Sequence, residues 1–528
     1  MVVVNNMRLN YYYNFKNTIR FFMDIENMNF SGIDDKTETS WSKPFIFRIR
    51  KDKDTFRKLQ IPNIYNFYAA YKYYDKFLSD NNLSFESVEK LDTHKRMKID
   101  YELGEFKEKS YNEWQIIDYK NLITYDTLIR CDIKSFYENI YTHYIFDNFS
   151  SKEGIDKKLS HLYNGRTGGI IMGNFLSLYS AEYLSTKIGK TFSEYIAENN
   201  LDCIFSYFSD DFYIFVNKKD IEKILSIFDA TLEKFSMTRN ESKTEYYDYL
   251  KYKSHDVLEK YWKIIARRSL NQRKAQSQNI KDKAKNNNLF ITNQLIYRLE
   301  KIDEYRLQRV FIINFFKSKF FRKINFDKTH FDNYNYHQIL YIIKEFPEVV
   351  LYIDSILDNF EIFKSDDFKD KIIKFYNNSL LSNYNDEQLY FYYLISKLKI
   401  NKKIKKKGLN EKVLKTKNSL LIAYYIKDNM FSEKQIKMLK DVSNYDEEYW
   451  LIYYYLIMND KDLFNDLEKS ISTYLIPRSV KKSKIETNYM KFYMDNLTAR
   501  NEILVPMNTI QNELNKYYSI KDNRKNNK

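Results

Sequence analysis

The fold class this sequence predicts is a mixed α/β core in the N-terminal half joined to an all-α, repeat-like C-terminal half. Three observations predict it. The 528 residues include only 9 Gly and 5 Pro. That is too few for the tight hairpins of a turn-dense all-β protein, and it excludes collagen-like and Pro/Gly-rich disordered chains. Apolar runs of strand length cluster between about 120 and 250, whereas patterning beyond about 288 is helical to the end. With 44% hydrophobic and 17% aromatic residues the chain can fill large cores, and its length suggests roughly three domain equivalents.

The elements follow in order. Residues 1–30 are aromatic and helix-compatible, with Tyr11, Tyr12 and Tyr13 ahead of an apolar patch of Ile19, Phe21 and Phe22. The polar stretch 31–44 reads as a loop. Next, Phe45, Phe47 and Ile49 alternate with Ile46, Arg48 and Arg50, a period of two that predicts a short strand with one basic face. The run from Ile64 to Phe77 lacks Gly and Pro and reads as helix. LIRCDI (128–133), IFSYF (204–208) and FYIFV (212–216) have the length and the β-branched or aromatic content of strands. The last two are separated only by Ser209-Asp210-Asp211, a hairpin signature without the usual glycine. Helices are expected over about 174–198 and 219–236.

Residues 267–288 are polar and rich in Lys, Asn and Gln, as a linker or solvated helix would be. Beyond them, Ser432 with Gln435 predicts a capping box and Phe431 with Ile436 a hydrophobic staple; Asn385 with Gln388 is a weaker version. NDEQLYFYYLI (385–395) and YDEEYWLIYYYLI (445–457) look alike, each an acidic first turn followed by an apolar aromatic helix. That likeness suggests stacked helix pairs.

Formal net charge is +15 and the isoelectric point about 9.1, a balance that fits a polyanionic partner. Abundant Lys, Asn, Tyr, Phe and Ile also suggest AT-rich coding, so the 49 tyrosines are not read as a binding code. Cys131 and Cys203 cannot make a disulfide framework, and no short Cys/His spacing suggests zinc. The longest apolar candidate, Tyr449 to Met458, falls short of the ~18–20 residues of a membrane span. The start lacks the order of a signal peptide, so a reducing cytoplasm is expected. The run Lys402, Lys403, Lys405, Lys406, Lys407 and the tail Lys521 to Lys528 read either as solvated charge or as contacts for nucleic-acid phosphates.

The strongest local feature is Tyr207-Phe208-Ser209-Asp210-Asp211 between two strand-like runs. Adjacent carboxylates at a hairpin tip repel unless cations neutralise them, and Asp ligands without His or Cys favour hard ions such as Mg²⁺. A polar β-turn is the alternative. Upstream, Asp132 ends an apolar strand, where an unpartnered carboxylate is costly. Asp132, Asp210 and Asp211 together have the composition of a site for two divalent ions about 4 Å apart, as used for in-line phosphoryl displacement.

These segments resemble, in order, the motifs of a reverse-transcriptase palm: DIKSFY (132–137) motif A, GGIIMGNFLSLYS (168–180) motif B, FSDD (208–211) motif C and NESKT (240–244) motif D. The likeness covers about 45–250. Within that class, IPNIYNFYAAYKYY (61–74), SFYENIYTHYI (135–145) and GIIMGN (169–174) look most like the abortive-infection (Abi) polymerases of bacteria, which join such a core to a C-terminal helical-repeat domain. The resemblance implies a palm-and-fingers core. It divides the chain into an N-terminal extension (1–44), fingers and palm (45–267), a polar linker (268–288) and an α-helical repeat domain (289–528).

Carried over residue by residue, Asp132 and Asp210 would ligate both ions, with Asp211 assisting and the Ile133 carbonyl as a further ligand; Mg²⁺ is expected, with Mn²⁺ as an alternative. Tyr137 falls at the aromatic steric gate that rejects a 2′-hydroxyl. Gly173 falls where backbone approaches the nucleotide or primer, and Lys243 near the leaving pyrophosphate. Arg57 and Lys58 fall among the triphosphate contacts, with Arg48 and Arg50 as second choices.

Two departures matter. Phe208 replaces the usual Tyr of motif C, and Ile171-Met172-Gly173 replaces Pro-Gln-Gly, losing the Gln that templated enzymes set beside the nascent base pair. The resemblance therefore implies a DNA polymerase that extends a tyrosine of its own without a template, in bacterial defence against phage. Tyr11, Tyr12 or Tyr13, at an expectedly mobile end, are the candidate acceptors; phenol, with pKa ~10, needs a metal or base for ionisation. The implied partners are dNTPs, a single-stranded DNA product attached to the chain, and further copies in a ring-like homo-oligomer. One alternative is a defence reverse transcriptase templated by a noncoding RNA. Another is a non-catalytic nucleic-acid-binding scaffold.

Overall fold

The computed structural model describes residues 7–15, 17–83, 94–96, 98–100, 104–106, 108–149, 152–253, 291–318, 321, 331–480 and 483–526. The expected linker, 268–288, lies outside them, as do Asn527 and Lys528 of the basic tail. Helix dominates and the sheets are small. Among the described residues no helix is long and apolar enough to cross a membrane. The chain packs into two compact units, one from Met1–Ile46, Leu59–Tyr252 and Lys440–Val505, the other from Phe47–Lys58, Lys253–Leu439 and Pro506–Lys528. This division differs from the one expected: 440–505 belongs with the N-terminal half, and 47–58 with the helical half.

Strands β1 (Phe45–Arg50) and β2 (Phe56–Ile61) pair with each other, as do the two-residue strands β3 (Ile99–Asp100) and β4 (Glu105–Phe106). The first unit is organised on an antiparallel sheet of β5 (Thr127–Asp132), β6 (Cys203–Phe208), β7 (Asp211–Val216) and β8 (Glu245–Tyr247), in the order β6-β7-β5-β8. Alternation sorts its side chains. Phe205, Ile214 and Ile129 share one face with Tyr207, Phe212 and Cys131; Ile204, Phe215 and Leu128 share the other with Phe208, Asp211 and Asp132.

Helices α7 (Phe175–Glu198) and α8 (Ile221–Glu233) cover the first face: Phe192 meets Phe205 edge-on at 4.9 Å, and Phe228 tilts against Phe212 at 4.9 Å. The Asn174 side chain caps α7 by accepting from the Ser177 N–H. At the apolar end of the other face, Leu128, Phe215 and Tyr247 pack with Leu122 and Tyr125 of the α4 region (α4 is Glu108–Thr124). Its charged end carries the acids.

Helices α1 (Leu9–Tyr13) and α2 (Asn17–Arg20) precede α3 (Ile64–Asp80), which packs against α6 (Lys152–Leu162) and whose start is capped by the Asn63 side chain accepting from the Tyr65 N–H. The helix Glu486–Thr498 lies along α3: Tyr65 packs on Tyr489 at 4.0 Å, Asn63 donates to the Tyr493 hydroxyl at 2.6 Å, and the Tyr489 hydroxyl donates to Asn66.

The second unit is almost wholly helical. Its helices Asp366–Ser379, Asn385–Lys397 and Ser419–Lys427 are tied by buried polar pairs, Tyr376 to Tyr425 at 2.8 Å and Asn418 to Gln388 at 2.9 Å. The expected capping box forms, with the Ser432 N–H donating to Gln435 at 2.9 Å and the Gln435 N–H to Ser432 at 3.4 Å. Asn385 does not cap. It sits inside the first turn, where its side-chain oxygen accepts from the Arg48 N–H at 2.8 Å.

Candidate active site

Asp132 is the last residue of β5 and Asp211 the first of β7, and the two are direct cross-strand partners. Partners of this kind point to one face with Cβ atoms roughly 4.5–5.5 Å apart. Asp210 is the second residue of the two-residue turn joining β6 to β7. Ser209, at φ +55°, takes the left-handed position that glycine usually fills, and the Ser185 hydroxyl of α7 donates to its carbonyl at 3.0 Å. Past Asp132 the chain is stitched on both sides. The Ile133 N–H donates to the Asp210 carbonyl at 3.0 Å, and the Asn240 N–H donates to the Asp132 carbonyl at 2.7 Å. Acids far apart in sequence thus meet at one end of one sheet.

Their charge is matched locally. Oδ2 of Asp132 accepts from the Lys243 ammonium at 2.8 Å and from the Asn240 side-chain amide at 3.0 Å. Asp211 accepts from the Arg130 guanidinium at 3.3 Å. Burial works against the Arg130 charge, but Tyr213 and Asp211 more than offset it and hold the guanidinium firmly protonated. Burial also raises the Tyr213 phenol, and it pushes the Cys131 thiol up to about 12, which leaves that sulfur a filler rather than a nucleophile.

In kind, the donors suit a hard divalent cation: carboxylates without imidazole or thiolate. In arrangement Asp132 and Asp211 are held as ion pairs, and among the described residues no three acidic, imidazole or thiol groups converge as a ready-made cation cage. A cation at Asp132 would compete with Lys243, whose side chain is 53% exposed.

The other expected site residues are held in different ways. Tyr137, half-buried in α5 (Phe136–Asn139), accepts at its carbonyl from the Ile170 N–H at 2.9 Å, which fastens the Asp132 segment to the 168–173 loop. Gly173 has φ +131°, and a Cβ there would meet Leu59 of β2 at 3.5 Å; its carbonyl accepts from Phe15 at 3.0 Å. Its backbone is therefore engaged with the protein itself. Lys243 lies on Asp132. Arg57 and Lys58 are exposed on β2 and belong to the second unit. The second choices are corrected outright for Arg50, whose guanidinium pairs with Glu387 at 2.8 Å between the rings of Tyr305 and Tyr384. Arg48 lies over the Phe56 ring.

The N-terminal tyrosines also differ from expectation. Tyr11, Tyr12 and Tyr13 are all buried. Tyr13 donates to the Pro62 carbonyl at 2.6 Å, and burial raises its phenol well above the ordinary value. Tyr12 packs on Tyr71 and Phe175, and Tyr11 lies under the Arg20 guanidinium. They are core residues rather than part of a mobile end.

Two residues of the site escaped the sequence reading. Arg130 had a usable signal, because two residues before Asp132 on a strand means the same face. Asn240 had none beyond its place in NESKT.

No protein-family model matches this chain, and no curated protein matches it. Among solved structures, apo telomerase from Candida Tropicalis is similar at 12% identity and a TM-score of 0.29, over 67% of this chain and 63% of that one. The chain thus spans less than two thirds of that telomerase's length, and the likeness is a weak one.

Proposed function

We propose that the chain is a metal-dependent nucleotidyltransferase of the reverse-transcriptase type that joins deoxynucleotides into DNA. One observation supports this above the others: Asp132 stands opposite Asp211 in the sheet, with Asp210 in the adjoining turn bonded to the residue after Asp132. Divalent cations bound by such carboxylates polarise a phosphoryl oxygen and favour ionisation of the attacking hydroxyl. The chain's own residues do the rest. β5 and the β6–β7 turn fix the acids, Arg130 balances Asp211, and Asn240 orients Asp132. Tyr137 is the proposed steric gate against ribose, and Arg57 and Lys58 the triphosphate contacts.

Template independence, protein priming and a role in bacterial antiphage defence belong to the same reading. They are supported by the motif likeness to Abi polymerases and by Ile171-Met172-Gly173 in place of Pro-Gln-Gly. A tyrosyl acceptor among Tyr11–Tyr13 would have to leave the core in which those residues are buried.

The test is incubation of the purified chain with labelled dNTPs and Mg²⁺ or Mn²⁺. Label should become fixed to protein and survive denaturation, with no nucleic acid added. Asp210→Asn should cut incorporation at least ~10³-fold, as expected when charge compensation of the transferred phosphoryl is removed. Incorporation equal to wild type in that variant would sink the assignment. Product that appears only with added RNA would select the templated alternative.

A further inference from the structure

The second unit holds a feature that the nucleotidyl-transfer site does not use. Helix Asp366–Ser379 faces the short helices Asn401–Lys406 and Leu409–Lys415 across a concave space of about 360 Å³. Its floor is apolar, from Ile373 and Leu409, both buried. Its walls carry the ammonium groups of Lys374, Lys407 and Lys412 against one carboxylate, Asp370.

That carboxylate compensates weakly: Lys407 stands 3.6 Å from it, beyond hydrogen-bond length, with both side chains more than half exposed. Lys412 is held by a neutral partner, donating to the Asn377 side-chain oxygen at 2.7 Å, so its orientation is fixed while its charge is not balanced by that bond. Gly408, at φ +68°, turns the chain between the two short helices and brings Lys407 and Lys412 to one cavity. Lys402, Lys405 and Lys406 extend the positive surface outside it, whereas Lys403 is paired with Asp366 at 2.9 Å.

We infer that this cavity is a binding site for phosphate esters, and specifically for the backbone of a single-stranded nucleic acid. Three ammonium groups brought together around a concavity repel one another and are relieved by an anion. The lining has no aromatic ring to stack a base among the described residues, so recognition would be of backbone rather than sequence. The volume is near the lower end for a whole small-molecule ligand and suits a phosphodiester or two of a passing strand. The cavity would hold such a strand whether or not the carboxylate site is catalytic.

The test is binding of labelled oligothymidylate to the full chain in EDTA, followed by fluorescence anisotropy over a range of KCl. Each phosphate contact contributes about 0.7 to the slope of log affinity against log salt for single strands. The Lys374→Gln/Lys407→Gln/Lys412→Gln variant should therefore lose about 2 from the slope and at least tenfold in affinity at low salt. Lys434→Gln/Lys437→Gln, which changes two exposed lysines elsewhere in the unit, should leave the slope unchanged. Absence of binding by the wild type, or equal effects of the two variants, would overturn the site. A second arm titrates dNTP and inorganic pyrophosphate. Binding of these that is lost in the triple variant, with oligothymidylate binding intact, would reject the strand in favour of a free phosphate ligand.

Discussion

One oxygen of Asp132 receives both the Lys243 ammonium at 2.8 Å and the Asn240 amide at 3.0 Å, and these two neighbours should act on cation binding with opposite sign. Lys243 is a positive charge on a half-exposed side chain, so it competes with any cation that Asp132 takes up. Asn240 is neutral, is tethered by its own backbone bond to the Asp132 carbonyl, and has its amide oxygen held by the Ser242 hydroxyl at 2.9 Å. It fixes the carboxylate without repelling a cation. Lys243→Met should therefore tighten Mn²⁺ binding by roughly threefold to tenfold, about the worth of an exposed ion pair. Asn240→Ala should weaken it by a similar factor. Calorimetric or paramagnetic titration of Mn²⁺ into the full chain reads both. If the two substitutions shift affinity in the same direction, the competition between Lys243 and the cation is wrong.

At the scale of elements, the strand edge of β1 is managed by a helix end. The N–H groups of Arg48 and Arg50 donate to the side chains of Asn385 and Asp386, at 2.8 and 3.2 Å. An edge strand otherwise presents such groups unpaired. The acidic first turn of helix Asn385–Lys397, legible in the sequence as a match to the helix dipole, is thus mainly a partner for that strand and for arginines. Arg309 bonds Glu348 at 3.1 Å, Asp386 at 3.3 Å and the Arg50 carbonyl. Burial raises the Asp386 carboxyl even though Arg309 pulls it down. Burial also opposes the Glu348 charge, but Lys317 and Arg309 together hold that carboxyl at about 2.

Glu348 therefore keeps a cationic partner when Arg309 is lost, whereas Asp386 keeps the Arg50 N–H bond but loses the cation that offsets its burial. Arg309→Met should cost about 3–5 kcal/mol in urea unfolding, the typical penalty for breaking a buried pair. Adding Asp386→Asn should recover more than half of it. A double variant as unstable as the two single losses added together would show that the pair is not coupled.

The same elements show what the sequence could and could not say. β5, β6 and β7 were legible because apolar runs of strand length ended at acids, and α3, α7 and the Ser432–Gln435 cap because their signals are local. The positions of Arg50, Asn385 and the three N-terminal tyrosines were not, because each is decided by a partner hundreds of residues or a whole helix away. An aromatic or basic side chain carries no mark of whether it will meet solvent or another part of the chain.

For the whole molecule, the decisive fact is that each compact unit is assembled from three separate stretches of chain. The first unit is completed by 440–505. From that return segment, Tyr489 and Tyr493 bond Asn66 and Asn63 of the α3 region, Asn496 accepts from the Asn29 N–H at 2.7 Å, and the Val505 N–H donates to the Phe22 carbonyl at 3.0 Å. A cut in the sequence near residue 267, where composition changes, would strand one face of α3 with buried tyrosine and asparagine groups suddenly exposed. Buried polar groups that lose their partners each cost about 1–3 kcal/mol, and apolar surface is lost with them, against a total stability of only about 5–15 kcal/mol for an ordinary domain. A fragment of residues 1–267 should therefore fail to unfold cooperatively and should aggregate, despite containing every proposed catalytic acid. Supplying 440–505, linked to the fragment or co-expressed with it, should restore a sharp thermal transition. Tyr489→Phe/Tyr493→Phe in the full chain should lower its midpoint without abolishing it. Cooperative unfolding of the 1–267 fragment alone, seen by calorimetry, would refute this dependence and return the domain boundary to the place where the composition changes.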